Sequence, residues 1–306
     1  MSRSASLLPS PTGAFTALIT PFRNGTVDEP ALRSLVDFQI GGGIDGLVPC
    51  GTTGEAATMT DAERDRVISI VVEQAAGRVP VLAGTGSNGT ATTIEQTARA
   101  RALGVDGALI VTPYYNKPTQ EGLYAHFTAI ADAVDLPIIL YNVPGRTGVN
   151  LLPETVVRLA GHPRIVGIKE ASGSLDQSSQ IVREAPADFA VLSGDDSLTL
   201  PIIGVGGRGI ISVVANIAPA AIADLTAAGL AGDFATARDI HLGLFDLCRA
   251  MFVETNPVPV KTAAGLLGLC SPEVRLPLAP LSAASQRRVE AAMAACPHLP
   301  ATEIAA

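Results

Sequence analysis

Residues 46–86 read GLVPCGTTGEAATMTDAERDRVISIVVEQAAGRVPVLAGTG. The stretch begins with a short apolar run, passes through a turn rich in glycine and threonine, and ends on a second apolar run, VPVLAGTG from residue 79. Between them, in TDAERDRVISIVVEQAAG, Val67, Ile68, Val71 and Val72 fall on one face at helical spacing. Thr60 with Glu63 has the pattern of a capping box, which fixes the start of that helix. The unit is strand, helix, strand. Both strands are continuously apolar rather than alternating, as expected where helices cover both faces of a parallel sheet.

The same rhythm extends outward in both directions. FTALIT from 15, GLVPCG from 46, VPVLAGTG from 79, GALIVTPYY from 107, PIILYNVP from 137, IVGIKEA from 165, FAVLSGDD from 189 and GIISVVAN from 209 are eight such runs. Their starts lie 20 to 33 residues apart, room each time for a turn, a helix and another turn. Eight units predict an α/β fold, a closed (β/α)8 TIM barrel, in preference to an open doubly wound sheet. After Asn216 the strand signals stop, and alanine- and leucine-rich stretches to about residue 296 predict a last barrel helix plus additional C-terminal helices. The expected division is an N-terminal tail over 1–12, the catalytic barrel over 13–228 and a C-terminal helical region over 229–306.

Composition narrows the partners. The net charge is -8 and the isoelectric point is near 5.0, so no concentrated basic face offers itself to nucleic acid. No segment approaches 18 uninterrupted apolar residues and the opening MSRSASLLPSPTG lacks a signal-peptide core, so a cytoplasmic protein without membrane contact is expected. Cys50, Cys248, Cys270 and Cys296 are widely spaced, as are the four histidines, so no metal is expected. GTGSNG at 84–89 and GVGGRG at 204–209 match a dinucleotide-binding fingerprint by pattern alone. The first is not followed by an acid ending the next strand, because Asp106 precedes its strand, and both are read as turns.

In such barrels the active site forms where strands end. The strand ends here carry Gly51-Thr52-Thr53-Gly54-Glu55, Thr112-Pro113-Tyr114-Tyr115, Tyr141-Asn142, Lys169-Glu170, Ser193-Gly194-Asp195-Asp196 and Ser212. Of 21 cations only Lys117, Lys169 and Lys261 are lysines. Lys169 either pairs with a carboxylate or reaches to water, or it supplies amine chemistry that arginine cannot. An apolar wall would pull its pKa below the free-lysine value of ~10.4 and yield a nucleophile for a carbonyl carbon. The resulting imine acidifies the neighbouring carbon, so the site needs a proton-handling group and a holder for substrate charge. Tyr141, ending the preceding strand, is the expected partner. Thr52 and Thr53 offer donors for a carboxylate or form an ordinary turn. Arg146 can grip a second carboxylate or sit idle on the surface. Glu55, Asp195 and Asp196 are read as structural.

GTTGEAAT, VTPYYNKPTQEGLYAHF, YNVPGRTG, GIKEASG, LSGDD, GIISVVAN and FVETNPVPVK, in this order, resemble the motifs of the dihydrodipicolinate synthase and N-acetylneuraminate lyase superfamily of Schiff-base barrel enzymes. Arg146, and GTTGE in place of the lyases' G-S-T-G-E, make the chain most similar to the synthase branch. The resemblance implies condensation of pyruvate with L-aspartate-4-semialdehyde to 4-hydroxy-tetrahydrodipicolinate in diaminopimelate and lysine biosynthesis, with no cofactor. It implies an imine on Lys169 and proton relay by Tyr141, Thr53 and Tyr115, the last supplied by a neighbouring subunit. It assigns the pyruvate carboxylate to Thr52 and Thr53, the pocket lining to Gly194 and the carbonyl of Ile211, and the semialdehyde carboxylate to Arg146. It implies a homo-oligomer, a dimer at least because each site borrows a tyrosine, and usually a tetramer built as a dimer of dimers. Of the family's lysine-effector site only Asn88 and Tyr114 match. Asp61 and Arg64 stand at its histidine positions and Thr92 at its glutamate, so weak or absent lysine feedback is expected. The alternatives are another pyruvate-dependent aldolase, acting on a 2-keto-3-deoxy sugar acid or 4-hydroxy-2-oxoglutarate, and a non-catalytic pyruvate-binding regulator.

Overall fold

The computed structural model describes residues 10–299. The first nine residues of the expected tail and the last seven of the expected C-terminal region lie outside the described residues. The eight apolar runs form eight parallel strands: β1 Gly13–Ala17, β2 Gly46–Val48, β3 Leu82–Gly84, β4 Gly107–Val111, β5 Ile138–Asn142, β6 Ile165–Glu170, β7 Ala190–Ser193 and β8 Gly209–Ser212. They pair in the order β2-β1-β8-β7-β6-β5-β4-β3. A parallel bridge between Leu47 and Val81 joins the two ends of that series and closes the barrel. Closure brings backbones together tightly at the β1–β8 seam. There Gly209 pairs with Gly13 at φ +143°, and a Cβ on it would lie 1.9 Å from the Gly13 carbonyl oxygen, so only glycine fits.

Helices alternate with the strands: α1 Glu29–Gly41, α2 Asp61–Ala75, α3 Thr90–Ala102, α4 Gln120–Ala133, the short α5 Pro144–Thr147, α6 Pro153–Ala160, α7 Leu175–Glu184, α8 Thr199–Gly204 and α9 Pro219–Leu230. The sequence signals for α2 are realised: Thr60 and Glu63 form a reciprocal capping box, and Val67, Ile68 and Val71 are buried. Three further helices follow, α10 Phe234–Ala250, α11 Val258–Leu266 and α12 Ala283–Ala295. They are not a separate body. Leu244, Leu247, Val260, Val289 and Met293 belong to one buried cluster with Ala14 of β1 and Ile210 of β8. Truncating one such leucine to alanine costs about 2–5 kcal/mol.

Inside the barrel, Phe15, Ala17, Val48, Leu82, Leu109, Ile139, Tyr141, Leu192 and Ile211 form a separate cluster. It packs the lumen with apolar side chains. Among the described residues no helix is long and apolar enough to cross a membrane.

Candidate active site

β5 and β6 pair so that Tyr141 lies opposite Lys169, and Lys169 in turn lies opposite Leu192 of β7. Residues in register on neighbouring strands point to the same face, so Lys169 shares the interior with Tyr141. Its side chain is almost wholly enclosed, with 4% of the residue exposed, and Nζ sits 4.5 Å from the centre of the Tyr141 ring. The other buried lysine behaves differently. Lys261 is paired with Glu55 at 2.6 Å, whereas Lys169 has no carboxylate partner among the described residues.

Space for that side chain is provided by the residue that follows β7. A Cβ on Gly194 would stand 2.7 Å from the Ala171 side chain and 3.1 Å from Cγ of Lys169. Glu170, next to the lysine, faces the other way and holds structure: it accepts from Ser172 N at 2.7 Å, Gln177 Nε2 at 2.9 Å and Asn142 Nδ2 at 3.2 Å. Asp196 likewise gathers the start of the loop after β8, accepting from Val213 N at 3.0 Å and from the Ser212 hydroxyl. Its burial pushes its carboxyl up to about 6.

A cavity of about 390 Å³ opens at this end of the barrel. Thr52, Tyr114, Tyr141, Arg146, Asn256 and Leu278 are among the residues that line it. The turn at its rim is conformationally tight, with Cys50 at φ +56° and Glu55 at φ +55°. Non-glycine residues in this region are uncommon and concentrate at functional sites. Glu55 is tied down at both oxygens, by Lys261 Nζ at 2.6 Å and Arg275 N at 3.1 Å. Gly84 and Gly86, from the first fingerprint-like motif, line the same cavity, and a Cβ on Gly84 would lie 2.2 Å from the Cys50 carbonyl oxygen. They are there to let backbones approach.

The sequence-derived residues separate into groups. Lys169 lies against Tyr141 on one side and Gly194 on the other side of its stem. Thr52, Tyr141, Arg146 and Tyr114 share the cavity wall. Thr53 is buried beside it, its hydroxyl accepting from Asn256 Nδ2 at 2.9 Å, which leaves its own hydrogen free to donate. Ile211 is fully buried in the lumen cluster. Tyr115 is 88% exposed at φ +74° and, unlike Tyr114, is not among the residues that line the cavity. Asn88 accepts from Asn116 Nδ2 at 2.8 Å through its carbonyl. Asp61 is held by Arg99 at 2.7 Å, and Arg64 donates to the Gly84 carbonyl at 3.0 Å while lining the cavity.

Two contributors escaped the sequence reading. Asn256 gives its side-chain NH2 to Thr53 and its backbone carbonyl to Arg146 Nη2 at 3.2 Å. Lys261 anchors the turn through Glu55. Both lie in NPVPVK, beyond the last strand and inside the FVETNPVPVK motif that carries the family resemblance; the scarcity of lysine was a further signal for Lys261, and no chemical role had been assigned to Asn256.

The model of the dihydrodipicolinate synthetase family matches residues 10–296. The chain belongs to that family. Among its curated relatives, 4-hydroxy-tetrahydrodipicolinate synthase of Thermomicrobium roseum is 61% identical over 94% of this chain and 95% of its own length. Among solved members, dihydrodipicolinate synthase from Aquifex aeolicus is 48% identical, covers 92% of this chain and 97% of its own, and superposes with a TM-score of 0.91. The Acinetobacter baumannii enzyme of the family, solved in complex with pyruvate, is 44% identical with a TM-score of 0.92, covering 94% of this chain and 99% of its own. A (β/α)8 barrel is thus the family's fold as well as this chain's. Among the described residues no group of acids, cysteines and histidines could hold a metal ion.

Proposed function

We propose that the protein is a 4-hydroxy-tetrahydrodipicolinate synthase, joining pyruvate to L-aspartate-4-semialdehyde through an imine on Lys169. The observation that carries the reading is the buried Lys169 amine set against Tyr141 without a carboxylate partner, in a chain 61% identical to a relative of that name. The neutral amine attacks the ketone carbon of pyruvate and water leaves, giving the imine. The imine draws electrons from the adjacent methyl carbon, which loses a proton to become an enamine and then attacks the aldehyde carbon, whose oxygen takes up a proton; the substrate's own amine then replaces the Lys169 nitrogen on the imine carbon, closing the ring and freeing the lysine. Tyr141, Thr53 and Tyr115 carry the protons. The buried, amide-fixed hydroxyl of Thr53 and the exposed Tyr115 suit those roles, the second in a neighbouring subunit's site.

Thr52 and Thr53 hold the pyruvate carboxylate, Gly194 and the Ile211 carbonyl line its pocket, and Arg146 holds the carboxylate of the semialdehyde with its guanidinium fork. A homotetramer, as a dimer of dimers sharing tyrosines, acting in the cytoplasm on small molecules and without cofactor, completes the proposal. The pyruvate complex of the A. baumannii relative supports the first substrate. The test is pyruvate consumption with a panel of acceptors. L-aspartate-4-semialdehyde should be used far faster than the aldehydes that would form a 2-keto-3-deoxy sugar acid or 4-hydroxy-2-oxoglutarate. The reverse order would replace this reading with the sugar-acid aldolase, and no turnover with any acceptor would favour a pyruvate-binding regulator.

A further inference from the structure

Arg64 is a cation of the cavity wall that the proposed condensation does not use. That reaction gives the pyruvate carboxylate to Thr52 and Thr53 and the semialdehyde carboxylate to Arg146, on the far side of β4. Arg64 instead stands on α2 and reaches the end of β3, where its guanidinium donates to the Gly84 carbonyl at 3.0 Å. It is half-buried, lines the cavity and forms no ion pair among the described residues. The acids around it are each spent on another cation: Asp61 and Asp65 on Arg99, Glu63 on Arg275 and Glu55 on Lys261. A guanidinium withdrawn from water without a counter-charge is costly unless a ligand supplies one. We propose that this corner of the cavity is a second anion site, which binds a small carboxylate independently of the chemistry at Lys169.

The other groups of the corner are donors. Gln96, from α3, lines the same cavity. Its Oε1 is sealed in the wall without a partner, whereas its Nε2 is neither closed off nor bonded among the described residues, so the amide offers its NH2. Ser87, just after β3, accepts from Gly89 N at 3.4 Å, which leaves its hydroxyl hydrogen uncommitted. Glu55 is the one acid on the wall among the described residues, and Lys261 neutralises it. A guanidinium fork with neutral donors beside it matches a carboxylate in both charge and shape. An ammonium finds no counter-charge there, so the ligand has the opposite sign to the lysine side chain that the family's effector pattern implies.

The probe is trifluoropropanoate, a carboxylate with no ketone to form an imine, followed by fluorine NMR. It is titrated into the full-length protein at saturating pyruvate, with Arg146→Leu removing the other guanidinium of the wall. A dissociation constant below about 10 mM is expected. Arg64→Gln, which keeps a donor for the Gly84 carbonyl but loses the charge, should raise that constant about tenfold or more. Gln96→Leu should raise it about threefold or more and carries the test if the Arg64 variant is unfolded. Trifluoropropylamine, the cationic counterpart, should bind far more weakly. No binding of the carboxylate up to that concentration would overturn the site. So would a change under threefold in folded Arg64→Gln or, where that protein is unfolded, in Gln96→Leu, or an amine that binds as tightly as the carboxylate. The measurement involves no turnover, so its outcome is separate from that of the proposed condensation.

Discussion

Replacing Lys261 with methionine should unfold the protein more readily than any change on the cavity rim. The side chains of Lys261 and Glu55 have no exposure and meet at 2.6 Å, and Lys261 also lies 4.3 Å over the Phe22 ring. Burial pulls the Lys261 pKa down and the Glu55 carboxylate pulls it back up, so each charge makes the other tolerable. Removing one partner strands the other in an apolar site, which costs about 3–5 kcal/mol. In a chain of this size that is a fall in Tm of about 5–8 °C. The effect should reach the site, because Glu55 holds the turn that carries Thr52 and Thr53, so the KM for pyruvate rises too. Pairing Lys261→Met with Glu55→Gln removes the stranded charge and should recover at least about 1 kcal/mol of the loss. Urea unfolding followed by circular dichroism measures all three proteins. A loss under about 1 kcal/mol in the single variant, or a double variant no better than the single, would refute the assignment of this pair as the anchor of the turn.

Three further outcomes follow from particular contacts. Glu63 is held to about 2, below its ordinary 4.5, chiefly by Arg275, with which it pairs at 2.6 Å. Its stabilisation is complete above pH 4.5 and is lost as pH falls towards 2. Both side chains are partly exposed, so the term is about 1–2 kcal/mol after screening, and Glu63→Gln should flatten that acid limb in a pH series of urea melts. Gly194→Ala should displace Lys169, raising the pyruvate KM and lowering stability by about 1–3 kcal/mol; unchanged pyruvate binding would show that the 3.1 Å approach to Lys169 Cγ does not matter. Lysine should inhibit only above about 1 mM, because a missing counter-charge at Thr92 weakens binding by about 1.5–3 kcal/mol. Half-inhibition well below that concentration would contradict it.

What was legible in the sequence was local or periodic. The eight apolar runs correspond to the eight strands, and the strand-end rule brought Tyr141 and Lys169 together because consecutive parallel strands are neighbours in a barrel. The Asn256–Thr53 and Lys261–Glu55 bonds join residues 203 and 206 positions apart, and neither residue carries a periodic or spacing signal of its own. The rarity of lysine pointed equally to Lys169 and Lys261. Only burial with and without a carboxylate partner separates the nucleophile candidate from the structural ion. Tyr115 shows the opposite limit: its motif is clear, yet 88% exposure makes sense for a proton carrier only in an assembly.

The imine is the central claim, and borohydride reduction in the presence of pyruvate tests it most directly. After digestion and mass spectrometry, the account predicts pyruvate-derived mass on the peptide containing Lys169 alone, abolished in Lys169→Arg. Label on Lys117 or Lys261, or trapping that survives Lys169→Arg, would contradict it.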